Sequence, residues 1–342
     1  MPAASNSIPD WQRAFGGPIF QGLIKQTPSD FKVTEVLGFA PSGDGEHDFL
    51  WIEKSAANTV WVARSLAKHA EVADRDVGYA GLKDRHAQTR QWFSVRRPTG
   101  GGTDWQSYQQ SGVHILDISR NQRKLKRGAN CANHFRISVK GFENKQAEVV
   151  ERLEQIKDRG VPNYFGEQRF GREGGNMQLV QSLFDGKRLK RDKRSIALSS
   201  ARSYLFNDIL QARVIDDNWS SALPGELLNL DGSGSVFTPD RIDDELQARI
   251  DSLDVHPTGA LWGKGEPKGQ GQAVEYDRNA AARMPDLAAG LEKFGLSQAR
   301  RALRLNVREL TWEFADDVLW LEFELSTGAF ATAVLREILR YE

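Results

Sequence analysis

Cysteine is nearly missing from this chain: Cys131 is the single one among 342 residues. An internal disulfide is therefore excluded, and a reducing cytosol is the expected setting. The six histidines are scattered, and the Cys131/His134 pair has no second pair nearby, so no zinc-type cluster forms in sequence. His134 reads instead as a strand-end residue. No HExxH pair and no EF-hand loop occurs. The glycine-rich "GKGEPKGQG" lacks the GK[ST] ending of a phosphate loop, and no GxSxG elbow exists. These absences remove the metal, nucleotide and serine-triad signatures, and neither a metal nor a cofactor is expected. No apolar run approaches the roughly 20 residues that span a bilayer. The opening "MPAASNSIPDWQRAF" lacks a basic region followed by an apolar segment, so no secretory signal and no membrane partner is expected.

A net charge of one sign is missing too, because 46 basic residues balance 46 acidic ones. The distribution says more than the sum. "KRLKRDKR" (187–194) holds six cations and one anion, and "RKLKR" (123–127) holds four cations and none. Acid collects in "DDELQARIDSLD" (243–254) and at Asp316-Asp317. Basic segments set apart from acid can bind a polyanion despite a neutral total. Taken alone they are equally well two solvated faces.

What is present is a globular composition, 39% hydrophobic and 27% charged, in a chain long enough for one large domain or two. Alternation predicts strands over 30–36, 48–54, 91–95, 114–119 and 134–142. Residues 58–72 place Val62, Leu66 and Ala70 four apart behind an Asn or Thr cap, and 144–160 place Val149, Leu153 and Ile156 on one face, so both are helices. From Pro162 the texture changes to glycine, aromatics and arginine, followed by a long helix at about 195–216. "PGELLNLDGSGSVF" reads as strand and turn, and 256–272 as a glycine-rich loop. Two alternating runs flank Asp316-Asp317 as a hairpin, and the chain closes on a turn running into a helix. Strands with helices at both ends, around a differently textured middle, describe an α+β domain interrupted by an inserted module.

With metal and triad chemistry set aside, a rigidly held carboxylate is the simplest remaining nucleophile. Asp84 lies between Lys83 and Arg85 in "GLKDRH", ahead of the strand "QWFSV". Neighbouring cations lower a carboxylate's pKa, but by its neighbours alone Asp84 reads as a surface acid in a charged turn before it reads as a catalyst. Phe31, Trp92, Phe135, Tyr164, Phe165 and Phe330 lie beside polar or glycine-rich turns, where an RNA base could stack. Phe135 alternates with Ile137 and Val139, which favours a core role, whereas Phe330 near Gly328 suits a site. The amide of Asn133 offers a donor and an acceptor together to a pyrimidine edge.

Five ordered stretches, "AGLKDRHAQTRQW" (80–92), "NHFRI" (133–137), "VPNYFGEQRFG" (161–171), "ARSYLFN" (201–207) and "GAFATAVLRE" (328–337), make the chain closely resemble the TruD-type tRNA pseudouridine synthases. "DFKVTE" (30–35) and "GDGEH" (43–47) support the match. The resemblance implies isomerisation of uridine to pseudouridine at uridine 13 of tRNA, with tRNA as the partner, no obligate protein partner, a monomer, and a cytoplasmic setting. It assigns the nucleophile to Asp84, its basic partner to Lys25 in "LIKQTPSDF", and substrate contacts to Phe31, Asn133 and Phe330. Phe135 corresponds to the phenylalanine that this family has where other pseudouridine synthases carry a tyrosine. The implied fold is α+β: a discontinuous catalytic domain (1–159 and 306–342) with a central, mainly antiparallel sheet, plus an inserted α/β TRUD module at 160–305. The flipped base is expected in the cleft between them, with 123–127, 162–172 and 187–194 on tRNA phosphates. Lys83 and Arg85 are expected to face RNA or to hold the loop. Two rivals remain open. A tRNA-binding module would keep the basic segments and make no product, and a carboxylate glycosidase would need a second acid close to the first, for which Glu35 is the nearby candidate.

Overall fold

A computed structural model describes residues 8–97 and 101–341, of which the side chain of residue 172 is left aside. The N-terminal stretch in which no secretory signal is expected lies partly outside the described residues. The chain divides into two compact units, one of residues 19–149, 308–328 and 339–342, the other of 1–18, 150–307 and 329–338.

The first unit is built on an eight-stranded sheet. Its strands run in the order Arg308–Ala315, Val318–Ser326, Asn130–Lys140, Phe31–Leu37, Gln88–Arg96, His47–Ser55, Val113–Asn121, with Val77–Tyr79 also on Gln88–Arg96. All neighbours are antiparallel except Phe31–Leu37 and Gln88–Arg96, which pair in parallel over only three residues. Side chains alternate across a pleat. The registers Val33↔Thr89, Val33↔Phe135 and Phe135↔Phe323 therefore put Phe31, Val33, Glu35, Asn133, Phe135, Ile137, Gln91 and Phe93 on one face. Helix Thr59–His69 packs onto that face. Asn58 caps it by accepting from the Val60 amide at 2.8 Å, and Val62 and Leu66, fully buried, meet Leu50, Ile52, Phe93 and Val95. Each of those two side chains contributes about 1.5–3 kcal/mol by leaving water. The hairpin across Asp316-Asp317 forms with Ala315 opposite Val318, and Asp316 supplies the positive φ (+53°) that the tight turn demands.

The parallel pairing sets up the site. Gln88–Arg90 lie against Phe31–Leu37, and from Phe93 the same strand edge is taken over by Val77–Tyr79. Between them the loop over residues 80–87 leaves the sheet and returns to it.

The second unit surrounds the 25-residue helix Arg191–Ile215, whose Ala197, Ala201, Leu205 and Ile209 recur at four-residue spacing and are buried. Helices Gly175–Phe184, Gly271–Arg283 and Pro285–Lys293 share its core. An antiparallel sheet in the order Val236–Phe237, Leu228–Leu230, Val255–Leu261, Ala299–Ala302 completes it.

Two expectations need correction. Residues 256–272 are not one loop: Val255–Leu261 is a buried strand between two partners, and Gly271 already begins a helix. Pro257 and Gly259 disguise this strand, because neither favours a central strand position. The C-terminal segment does not run on as a helix either. It makes only Ala331–Leu335, and Leu339–Tyr341 then pairs in parallel with Phe20–Gly22, a long-range partner that local periodicity does not reveal.

Candidate active site

Asp84 stands on the loop over residues 80–87, and both its carboxylate oxygens are engaged. Oδ1 accepts the His86 amide at 2.9 Å, and Oδ2 accepts Lys25 Nζ at 2.7 Å. The side chain stays 39% exposed, so it is held and still reachable. Partial burial is the largest influence on its acidity and pushes the pKa up. The Lys25 hydrogen bond, the His86 amide and the Lys25 charge outweigh it and hold the carboxyl below its ordinary value. Asp84 is therefore ionised at neutral pH and ready to act as a nucleophile or base.

Lys25 arrives from the segment between strands Phe20–Gly22 and Phe31–Leu37, with φ at +55°. A non-glycine residue in the left-handed region is held there by its surroundings, at a cost of about 1 kcal/mol or more. Its ammonium also sits 4.0 Å above the centre of the Phe31 ring, a cation–π contact. Phe31 meets Phe135 edge to face at 6.1 Å between centroids, and Phe135 stacks on Phe323 at 5.5 Å. Phe31 and Phe135 are 5% and 7% exposed, so they are packed rings of the sheet face rather than open stacking platforms. Asn133 lies opposite Glu35 on the neighbouring strand. Its Oδ1 is buried with no hydrogen-bond partner among the described residues, a costly state that a ligand's N–H would relieve.

Beneath the loop lies a polar layer in which sequence patterns did not single out Lys54, Thr59 or Gln91. Lys83 is turned inward rather than toward solvent. Its Nζ pairs with Glu35 Oε2 at 2.9 Å, and the two side chains are 6% and 0% exposed. Glu35 Oε1 accepts the Trp92 amide at 3.1 Å, close to where one strand neighbour leaves the edge and the next takes over. Thr59 Oγ1 accepts the Lys83 amide and donates to Gln91 Oε1, and Gln91 Nε2 donates to the Gly81 carbonyl. Buried Lys54 donates to the carbonyls of Ala57 at 2.8 Å and Asp84 at 3.2 Å. Burial, opposed by the charge of Asp84 and helped by that of Lys83, brings its pKa down to about 8. The available signal was register: Lys54 and Gln91 occupy inward positions of buried strands, where a polar residue needs a reason. Arg85, by contrast, is exposed and donates to the Ala56 carbonyl at 3.4 Å.

Phe330 belongs to the other unit. It is half-buried, caps the short helix Ala331–Leu335, lies edge to face with Phe165 at 6.2 Å, and has the Arg169 guanidinium 5.7 Å from its ring centre. The basic segments are unequal. Residues 187–194 are exposed apart from half-buried Leu189. In 123–127, Leu125 is buried, Lys124 bonds the Arg75 carbonyl, and Arg127 stacks on Tyr79 at 4.0 Å. Among the described residues no group of three His, Cys, Asp or Glu could hold a metal ion, and no helix is long and apolar enough to cross a membrane.

Comparison with known proteins gives a concordant picture. The family model for tRNA pseudouridine synthase D (TruD) matches residues 14–187 and 186–338. A tRNA pseudouridine synthase D from Methylococcus capsulatus is 45% identical, with 97% of this chain and 95% of that one covered. One from Nitrosococcus oceani is 46% identical over 96% and 93%. A crystal structure from Methanosarcina mazei, of a protein assigned as tRNA pseudouridine synthase D, superposes with a TM-score of 0.76 over 99% of both chains. At 18% identity, that likeness speaks to the α+β fold.

Proposed function

Since the chain belongs to the tRNA pseudouridine synthase D (TruD) family, we propose that it isomerises uridine 13 of tRNA to pseudouridine, with Asp84 as the attacking group. The observation that carries this reading is the geometry of Asp84: an ionised carboxylate, half exposed, bonded at 2.7 Å by Lys25 and at 2.9 Å by the His86 amide. A nucleophile needs its lone pairs and a fixed direction, and this loop supplies both.

The reaction balances without a co-reactant. The C1′–N1 bond breaks, the base turns, and a C1′–C5 bond forms; C5 loses its proton and N1 gains one. Three starts are open to a carboxylate: addition at C1′, addition at C6, or proton removal from the ribose. Each needs Asp84 ionised, and that is what Lys25 secures. The target uridine must first leave its stack, at a cost of a few kcal/mol. The unpaired Asn133 amide oxygen is suited to a uracil N–H, and the Phe31–Phe135 edge forms an apolar wall beside it. Phe330 is assigned to the base by family resemblance. In this reading the eight-stranded unit is the catalytic domain and 160–305 an inserted module, and the enzyme works on tRNA in the cytoplasm. The cations of 187–194 give the binding its salt dependence.

The test is tritium release from a tRNA transcript labelled at uridine C5. Release from unmodified transcript, lost when uridine 13 is replaced by cytidine, is the expected result. Release that persists in the cytidine-13 transcript would move the target elsewhere.

A further inference from the structure

Lys54 takes no part in the chemistry above, yet it lies under the reacting group. It comes from strand His47–Ser55, on the face it shares with Leu50 and Ile52, and none of its surface is exposed. An apolar side chain would suit that position better, because a buried ammonium is unfavourable unless its protons are bonded. No carboxylate oxygen among the described residues forms an ion pair with it. Its ammonium donates to two carbonyl groups, Ala57 at 2.8 Å and Asp84 at 3.2 Å. Ala57 immediately precedes the Asn58 cap of a helix anchored on the sheet, so Lys54 ties the Asp84 peptide to a rigid element. The carboxylate oxygens of Asp84 are fixed by His86 and Lys25. Its backbone carbonyl is fixed by Lys54.

We infer that Lys54 is a positioning residue for Asp84, gripping its carbonyl so that the carboxylate projects in one direction. The charges of Lys54 and Asp84 also attract each other. This rests on Asp84 being the attacking group. The titratable groups around that carboxylate are Lys25 from the preceding segment, His86 on its own loop and Lys54 from below, while Lys83 is paired with Glu35. Removing Lys54 takes away one of the two lysines and leaves Lys25 in place.

The experiment compares Lys54→Met with the parent in the tritium-release assay, beside two controls. Asp84→Asn tests the underlying reading, and Asp48→Ala removes a buried acceptor from Trp105 in the same unit, away from the loop. For Lys54→Met we expect kcat to fall about ten- to hundredfold, as a displaced reacting group does, with KM within about twofold. The acid limb of kcat/KM should also move upward, which a merely structural loss would not cause. Asp48→Ala should lower the melting temperature and leave that limb in place. If Lys54→Met gives no cooperative melt, Lys54→Gln is scored by the same criteria. A kcat within twofold of the parent, or a fall matched by Asp48→Ala with no shift of the limb, overturns the inference. Activity retained by Asp84→Asn would instead overturn the reading beneath it.

Discussion

Lys83→Met isolates the buried ion pair that supports the active-site loop. The Lys83–Glu35 contact is 2.9 Å long, and the side chains are 6% and 0% exposed. Without the ammonium, the Trp92 amide at 3.1 Å is the remaining bond to a buried carboxylate. Breaking one side of such a pair costs about 3–5 kcal/mol, because the surviving charge is left uncompensated. For a unit of this size, each kcal/mol lowers the melting temperature by about 2–4 °C. We therefore expect Lys83→Met to melt at least about 6 °C below the parent, read by circular dichroism at fixed pH and salt. Glu35→Gln combined with Lys83→Met removes the stranded charge and keeps an acceptor for Trp92. The double variant should recover about 1–2 kcal/mol relative to Lys83→Met. A loss below about 0.5 kcal/mol, or two single effects that simply add, would refute the claim that the pair is buried and coupled.

Two further outcomes follow from the same structure. Lys25→Met removes the strongest influence lowering the pKa of Asp84, so the acid limb of kcat/KM should rise toward the ordinary aspartate value near 3.8. An unmoved limb would mean that Lys25 does not act on Asp84. His256 is buried, donating from Nε2 to Asp231 and accepting from Arg304 at Nδ1. Burial is the main cause of its lowered pKa, with Asp231 opposing and Arg304 assisting. The unfolded chain therefore takes up a proton first as pH falls, so this contribution to stability is complete above about pH 6.5 and is lost on acidification. His256→Gln should flatten that part of the stability–pH curve in urea titrations, and an unchanged slope would contradict the assignment.

The parts of the fold legible in sequence are those governed by local period. The 3.6-residue spacing of Val62 and Leu66 and the alternation on either side of Asp316-Asp317 each located an element, although the helix ends at His69, three residues before the expected limit. Val255–Leu261 escaped because Pro257 and Gly259 contradict strand propensity, and the neighbouring strands override it. Leu339–Tyr341 escaped because its partner lies more than 300 residues away. The same reason hid the chemistry. Lys25 and Asp84 are 59 residues apart, and no spacing rule joins them; the pairing was expected from family resemblance alone. Lys83 stands beside Asp84 in sequence, yet from the loop it turns inward to Glu35. Charge adjacency along a chain is a poor guide to charge adjacency in space.

The central claim is that Asp84 is the reacting carboxylate. The most direct measurement is single-turnover tritium release from C5-labelled tRNA by the parent and by Asp84→Asn, which keeps the side chain's size and one carbonyl acceptor. The account predicts release by the parent and none above background from Asp84→Asn, with tRNA binding and melting temperature close to the parent's. Release by Asp84→Asn at a rate within tenfold of the parent would contradict it.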